Sequence, residues 1–290
     1  MPSWRVRGRT LPLDRPRLLG VVNVTPDSFS DGGLFLDAEA AIARGERLLE
    51  EGAEIVDIGG ESTRPQGAVP VTAAEERRRV VPVVEALRRR HPDAFLSVDT
   101  VKAEVADAVL EAGADIINDV SGFRLDPLIG QICARHGAGV ILMHSRGNVS
   151  DMASYAHADY GSDPVGEVVV EIGERLAAAR EAGVATDSIV LDPGIGFSKR
   201  SEHSLALLAE LPRVAALGRP VLVGVSRKRF IGEVSHVTDP AKRVDGTTGA
   251  NVVALTRGAR LFRVHDVRPA RHALDTAWAI ISHGVAARTC

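Results

Sequence analysis

The chain of 290 residues is predicted to fold as an α/β protein, a (β/α)8 barrel of the TIM type preceded by a short N-terminal extension. Short β-branched runs alternate with longer helical patterns from end to end. Hydrophobic residues make up 45% of the chain but aromatic residues only 4%, which is typical of parallel strands built from Val, Leu, Ile and Ala and covered by helices. Because no linker interrupts the chain, residues 18–290 are predicted to form one barrel domain.

Each predicted strand is a short apolar run, and the eight runs are Leu18–Val22, Ile55–Ile58, Leu96–Asp99, Ile116–Asp119, Gly139–Met143, Ile189–Asp192, Val221–Gly224 and Leu261–Val264. The helices predicted between them include Ala38–Glu51, Thr72–Arg90, Lys102–Ala112, Val165–Ala182 and Leu205–Ala216. Thr72 and Glu75 form a capping-box pattern, which predicts where the second helix begins. Residues 1–17 are predicted to form a small hairpin that covers the bottom of the barrel.

An open, doubly wound sheet is the alternative to a closed barrel. It would gather polar residues at one switch point, whereas here they follow nearly every strand, and the chain has no Gly-x-Gly-x-x-Gly turn. The pattern therefore favours the barrel.

The bulk properties exclude several classes of protein. A net charge of -3 and the lack of a dominant basic stripe argue against nucleic-acid binding. Cys133 and Cys290 have neither the number nor the spacing of a disulfide framework or a zinc site, which fits a reducing compartment. There is no signal-peptide pattern and no apolar run of about 18 residues, so we expect a cytoplasmic protein that does not span a membrane.

The carboxyl ends of the strands meet on one face of such a barrel, so residues far apart in sequence become neighbours. Nearly every strand delivers polar groups there: Asn23, Gly59–Pro65, Asp99 and Thr100, Asn118–Gly122, Met143 and His144, Asp192–Phe197, Ser226–Arg229, and Arg263–Asp266. They sort into two chemical sets. Asp99, Asn118, Asp192 and Lys228 suit a flat polar heterocycle, and Asn23, Thr63, Arg64, Arg263 and His265 suit a phosphate.

Several of these residues also have a structural interpretation. Asp99 and Asp119 could be helix N-caps, and His144 could be a core histidine satisfied by the backbone. Phe197 could be a packing residue or could stack on a ring ligand. The loop Asn23–Gly33 after the first strand is rich in hydroxyls, acids and glycine, so it is either an ordinary surface loop or a mobile loop that closes over a ligand.

Together these segments resemble the dihydropteroate synthases, the folate-pathway enzymes that sulfonamides inhibit. The matching segments are Asn23–Gly33, Asp57–Pro65, Ser97–Thr100, Ile117–Gly122, Leu142–His144, Asp192–Phe197, Ser226–Gly232 and Arg263–Val267. The resemblance implies a transferase that condenses 6-hydroxymethyl-7,8-dihydropterin diphosphate with 4-aminobenzoate, giving 7,8-dihydropteroate and diphosphate. It also implies Mg²⁺ as cofactor and a homodimer formed by late helices, here Gly246–Gly258 and Pro269–His283.

The resemblance also implies roles for individual residues. The pterin ring would be held by Asp99, Asn118, Met143, Asp192, Phe197 and Lys228. The diphosphate would be held by Asn23, Thr63, Arg64, Arg263 and His265, with Asn23 also meeting Mg²⁺. The aminobenzoate would be bordered by Phe29, Pro65 and Ser226, and Asp27 would help close the first loop. Asp27, Arg64, Lys228, Arg263 and His265 are thus the predicted catalytic residues.

Two segments depart from the family pattern. Gln66 stands between Pro65 and Gly67, which leaves sulfonamide sensitivity open, and Arg146 adds a cation without an assigned role. Two other functions remain as alternatives: a corrinoid-type, pterin-binding methyltransferase, and a degenerate synthase paralogue without activity. If the two chemical sets act separately, Arg263→Ala should abolish turnover and leave pterin binding largely intact.

Overall fold

The computed structural model describes residues 2–24, 33–61 and 70–286. In this part of the chain the strands are β1 Ser3–Val6, β2 Arg9–Pro12, β3 Arg17–Asn23, β4 Ile55–Gly59, β5 Phe95–Asp99, β6 Ile116–Asp119, β7 Gly139–Met143, β8 Ile189–Asp192, β9 Leu222–Val223 and β10 Leu261–Val264. The helices are α1 Gly33–Glu50, α2 Ala73–Arg90, α3 Ala103–Glu111, α4 Leu128–His136, α5 Pro164–Glu181, α6 Ser201–Ala209, α7 Leu211–Ala215, α8 Arg229–Ser235, α9 Val244–Thr256 and α10 Val267–Ala286.

Strands β3 to β10 form one parallel sheet in the order β8-β7-β6-β5-β4-β3-β10-β9. The two ends of this sheet meet, because Leu191 forms a parallel bridge with Val221 and its amide donates to the carbonyl of Pro220 at 3.0 Å. The sheet is therefore a nearly closed barrel with helices around it. The predicted barrel is confirmed, and the alternative of an open sheet is wrong.

The helices differ from the prediction most at the segment before β9, and α1 also begins earlier than predicted, at Gly33 rather than Ala38. A single helix was predicted over Leu205–Ala216, but the chain forms α6 and α7 with a break at Glu210. Pro212 lies in the first turn of α7, where its missing N–H costs nothing, and it could not continue the hydrogen bonds of α6. The start of α2 is as predicted, since the hydroxyl of Thr72 accepts from the amide of Glu75 at 3.2 Å.

The predicted N-terminal hairpin is present and closes the bottom of the barrel. Strands β1 and β2 pair antiparallel, and Trp4, Val6, Leu11 and Leu13 are buried. The indole N–H of Trp4 donates to the carbonyl of Ser188 at 2.8 Å. These four side chains pack on the barrel interior at the strand beginnings, against Leu19, Ile55, Ile116, Ile141, Val190, Leu222 and Leu261.

Candidate active site

The inside of the barrel changes from apolar to polar within two residues along five of its eight strands, β4, β5, β6, β8 and β10. Side chains on a strand alternate between its two faces, so the residues two positions after the apolar floor point inward as well. We call these residues the upper inward set: Val21, Asp57, Ser97, Asn118, Met143, Asp192, Gly224 and Arg263. Most of them line a cleft at the carboxyl ends of the strands.

Arg263 on β10 is the centre of this set. Its Nε donates to Asp57 Oδ2 at 2.6 Å, and its Nη2 donates to Asp99 Oδ2 at 2.9 Å. Asp57 is fully buried and also accepts from Ser97 Oγ at 2.6 Å and from Asn118 Nδ2 at 3.2 Å. The guanidinium on β10 thus reaches across β3 to side chains on β4 and β5.

The structure brings the residues predicted for the pterin into one cleft. Asn118, Met143, Asp192, Phe197 and Lys228 all line it, and Asp99 joins them through Arg263. The ammonium of Lys228 lies 3.9 Å from the centre of the Phe197 ring, so Phe197 takes part in a cation–π contact as well as in packing. Asp99 does not cap α3, because the amide of Ala103 bonds to Asp126 instead.

Burial shifts the pKa of the ionisable groups in the cleft. It raises the pKa of the Asp99 carboxyl, against the lowering effect of Arg263, and it raises the pKa of Asp192, whose carboxylate accepts from the amide of Gly194 at 2.7 Å. Burial lowers the pKa of the Lys228 ammonium, against the raising effect of Asp192. Burial thus works against the charged form of each of these groups, and the neighbouring opposite charges of Arg263 and Asp192 work in favour of it.

His265 and Ser226 form the rim of the cleft beside Arg263. His265 Nδ1 lies 3.0 Å from Ser226 Oγ, and the same hydroxyl accepts from the amide of His265 at 3.2 Å. Burial, followed by the charges of Arg263 and Arg227, lowers the pKa of His265 to about 3. His265 is therefore a neutral hydrogen-bonding group at physiological pH.

Asn23 ends β3 at the same edge of the barrel, beside Gly59 at the end of β4. The remaining predicted site residues, Asp27, Phe29, Thr63, Arg64 and Pro65, lie outside the described residues, as do Gln66 and the segment 25–32. Their roles stay predictions.

Three residues at strand ends, Asp119, Arg227 and Asp266, stabilise the fold and do not line the cleft. Asp119 is fully buried and accepts from the amides of Ser121 and Phe123 at 2.7 and 2.9 Å, so it holds the turn after β6. Arg227 pairs bidentately with Asp266, at 2.6 and 2.9 Å, and one cation of the Arg227–Arg229 cluster is thereby neutralised within the chain.

Arg146 receives a role from the structure. Its Nε donates to Glu171 at 3.0 Å, its Nη2 donates to Glu167 at 2.9 Å, and its guanidinium lies 4.0 Å from the centre of the Tyr160 ring. The side chain thus ties the loop after β7 to helix α5. His144 is buried in the same place, with Nε2 3.0 Å from Glu171 Oε2, which fits its interpretation as a core histidine.

Sequence reasoning missed two residues, Asp57 and Lys199. Asp57 stands between two isoleucines in a strand that is otherwise apolar, and an acid at an inward position of a barrel strand was a usable signal. Lys199 gave no such signal, since a lysine shortly after a glycine-rich turn is usually exposed.

The described residues contain no cluster of three or more His, Cys, Asp or Glu side chains that could hold a metal ion. Nor does any helix within the described ranges have the length and apolar character needed to cross a membrane.

Comparison with known proteins agrees with this geometry. Residues 19–265 match the model of the pterin binding enzyme family. The chain is 46% identical over 253 residues to the dihydropteroate synthase of Synechocystis, covering 87% of this chain and 86% of that protein. It is 47% identical to the Xanthomonas albilineans dihydropteroate synthase solved with 4-aminobenzoic acid, with a TM-score of 0.88 and coverage of 97% and 98%. The same enzyme in complex with 7,8-dihydropteroate gives 45% identity, a TM-score of 0.85 and coverage of 97% and 99%.

The fold and the cleft define a barrel enzyme of the pterin-binding class, because a ring-sized site with acid, amide and ammonium groups lies where that family model matches. Within this class, the chain belongs to the dihydropteroate synthase family.

Proposed function

We propose that this chain is an active dihydropteroate synthase, which joins 6-hydroxymethyl-7,8-dihydropterin diphosphate to 4-aminobenzoate and releases diphosphate. The observation that carries the proposal is the cleft that brings Asn118, Asp192 and Lys228 to one wall and Arg263 with Asp99 to the other. Such groups can pair with the donors and acceptors on the edge of a pterin ring.

The charges of the cleft suit bond cleavage before attack. As the C–O bond to diphosphate breaks, positive charge spreads into the pterin ring. The carboxylates of Asp57, Asp99 and Asp192 would stabilise this charge in place of water. Because these carboxylates are fixed by hydrogen bonds before substrate enters, they need no reorganisation during the reaction. A carbocation-like path is therefore favoured.

The leaving diphosphate would meet donors on the Arg263 and His265 side of the cleft, and Thr63 and Arg64 are proposed to complete them. The aryl amine is already nucleophilic when neutral, so it needs positioning more than deprotonation. We propose that Ser226 borders its site, with Phe29 and Pro65 on the other sides.

Magnesium is part of the proposal. Mg²⁺ often uses few protein ligands together with phosphate oxygens and water, and Asn23 offers one amide oxygen at the barrel edge, so the absence of an acidic cluster among the described residues fits this mode. When bound, the ion would neutralise charge on the departing diphosphate.

The test is diphosphate release from the purified protein with the pterin diphosphate, Mg²⁺ and 4-aminobenzoate. Release that requires all three components supports the proposal, and Lys228→Met should reduce it while the surface variant Lys242→Met should not. Pterin binding without aminobenzoate-dependent turnover would contradict it and would support the degenerate paralogue. Methyl transfer from a methylated folate would support the methyltransferase.

The homodimer and the cytoplasmic location are proposed as well. Val253 on α9 and Ile280 on α10 are 49% and 70% exposed, and large apolar side chains on paired surface helices suit an interface between two copies. Light scattering after size exclusion should give twice the chain mass, and Ile280→Asp should reduce it to that of one chain. The buried thiol of Cys133 is compatible with a reducing compartment.

A further inference from the structure

Lys199 is a lysine with 1% exposure on the loop between β8 and α6, outside the cleft. Its ammonium donates to the carbonyl of Phe197 at 2.9 Å and to His144 Nδ1 at 2.7 Å. We infer that Lys199 is a positioning residue for the pterin site, which fixes the loop that follows Asp192 and carries Phe197 to the end of β7. This inference rests on the proposed function for the identity of the ligand.

The two segments that Lys199 joins both belong to the cleft. Met143, directly before His144, and Phe197 both line it and pack in one hydrophobic cluster. Phe197 is held at two points by two lysines: Lys228 lies over its ring, and Lys199 bonds its carbonyl. The position of the ring therefore depends on a group that does not touch the ligand.

The backbone around Lys199 leaves little freedom for another arrangement. Gly194 has φ +67°, and a Cβ there would lie 1.9 Å from the carbonyl oxygen of His144, so only glycine permits this approach. Ser198 has φ +49°, and its hydroxyl bonds the backbone of Arg146 and Met152. The loop is thus fastened to the segment after β7 on both sides of Phe197.

A chain of hydrogen bonds connects Lys199 to helix α5 through His144 and Glu171. Because His144 Nδ1 accepts from Lys199, the imidazole proton is assigned to Nε2, which donates to Glu171 at 3.0 Å. Burial lowers the pKa of His144 to about 4, so the imidazole is a neutral acceptor at physiological pH. Glu171 also binds Arg146, which links the chain of bonds to helix α5.

The test compares Lys199→Met, which keeps the length of the side chain but removes its donor, with Lys242→Met on the surface. Because a buried hydrogen-bond donor is removed and the carbonyl of Phe197 loses its partner, we expect the KM for the pterin diphosphate to rise about tenfold, with the KM for 4-aminobenzoate unchanged. Lys242→Met should leave both values unchanged. A loss of folded protein alone would lower kcat and leave both KM values as they were, and that result would overturn the inference.

A double-mutant cycle with Phe197→Ala tests the route of the effect. If Lys199 acts through Phe197, Lys199→Met should add little to the pterin KM of Phe197→Ala. Full additivity of the two effects would contradict the inference. If Lys199→Met does not fold, Lys199→Gln, which keeps a neutral donor, takes its place in the same cycle.

Calorimetry with the pterin diphosphate separates this inference from the proposed function. If the unsubstituted protein binds the pterin diphosphate but does not turn over, the proposed function is overturned. The ratio of the pterin Kd values of Lys199→Met and the unsubstituted protein would still decide the role of Lys199. Equal Kd values would overturn that role.

Discussion

The eight barrel strands present an apolar floor at their beginnings, and five of them present polar side chains two residues later. On β4 the inward residues are Ile55 and then Asp57, and on β10 they are Leu261 and then Arg263. The floor packs against Trp4 of the hairpin, whereas the upper inward set opens into the cleft. The residues that stabilise the barrel therefore lie at the strand beginnings, and the residues that form the cleft lie two positions later along the barrel axis.

The two ends also use buried charge differently. At the bottom, Asp115 is bonded by Arg9 and Arg88, and these charges tie surface elements together. At the top, Asp57 and Arg263 are bonded to each other, and each also bonds a residue predicted to hold the ligand, Asn118 and Asp99 respectively. Substitutions at the bottom should therefore change stability alone, and substitutions at the top should change activity first.

The largest expected effect is at the bottom. Trp4→Ala removes a fully buried indole and its hydrogen bond to Ser188, and it should lower the free energy of unfolding by about 3–5 kcal/mol. Urea unfolding measures this change. Arg5→Ala, at the exposed neighbouring position, is the control and should be nearly neutral. A changed pterin KM in folded Trp4→Ala would show that the two ends are coupled.

At the top, Arg263→Met should lower kcat/KM by about 100- to 1000-fold, because it removes the cation that faces the site and leaves Asp57 and Asp99 uncompensated. Since Arg263 bonds Asp99, pterin affinity should fall as well, which differs from the expectation that the two chemical sets act separately. Steady-state kinetics and pterin calorimetry measure the two effects. Arg271→Met, a buried arginine at the bottom, is the matched control and should leave the pterin KM unchanged.

A smaller effect is expected for Asp57→Asn. The amide keeps the size of the side chain but loses the charge-assisted bond to Arg263, so kcat/KM should fall by about 10- to 100-fold. Asp115→Asn makes the same change in a buried carboxylate at the bottom and should lower stability without a change in pterin KM. Equal kinetic effects of the two substitutions would refute the separation of the ends.

The smallest effect concerns pH. Burial lowers the pKa of His265 from 6.5 to about 3, so between these values the unfolded chain binds a proton that the native protein does not. This group therefore destabilises the native state as pH falls below 6.5, by at most about 1.4 kcal/mol per pH unit. His265→Gln should make the loss of stability between about pH 6.5 and 5 less steep, as measured by urea unfolding. An unchanged slope would show that His265 is protonated in the native state.

Much of the fold was predictable because its signals are local. Alternation of β-branched runs with amphipathic stretches, the cap at Thr72 and the glycines after helices each depend on a few adjacent residues. The exceptions follow from the same physics. Pro212 divides a predicted helix, and β9 is shorter than its apolar run because the chain leaves the sheet at Gly224 to form the cleft.

The candidate site was predictable in part. Polar residues at strand ends are visible in the sequence, so Asn118, Asp192 and Lys228 could be grouped before their positions were known. The sequence did not show that Arg263, placed in the phosphate set, bonds Asp99 of the other set, and the division into two sets stays a prediction. Asp119 also follows a strand, yet it bonds its own turn, and only the geometry of that turn distinguishes it from Asp99.

The sequence by itself determined the strands, their order and the polar groups at their ends, because these depend on local periodicity and on the alternation of side chains along a strand. The tertiary structure alone decided which of those groups meet. Arg263 finds Asp57 at a separation of 206 residues, and Lys199 turns away from the cleft to hold Phe197 and His144 from behind. Such pairings are set by barrel closure and by the cost of burying an unpaired charge, and neither can be read from neighbouring residues.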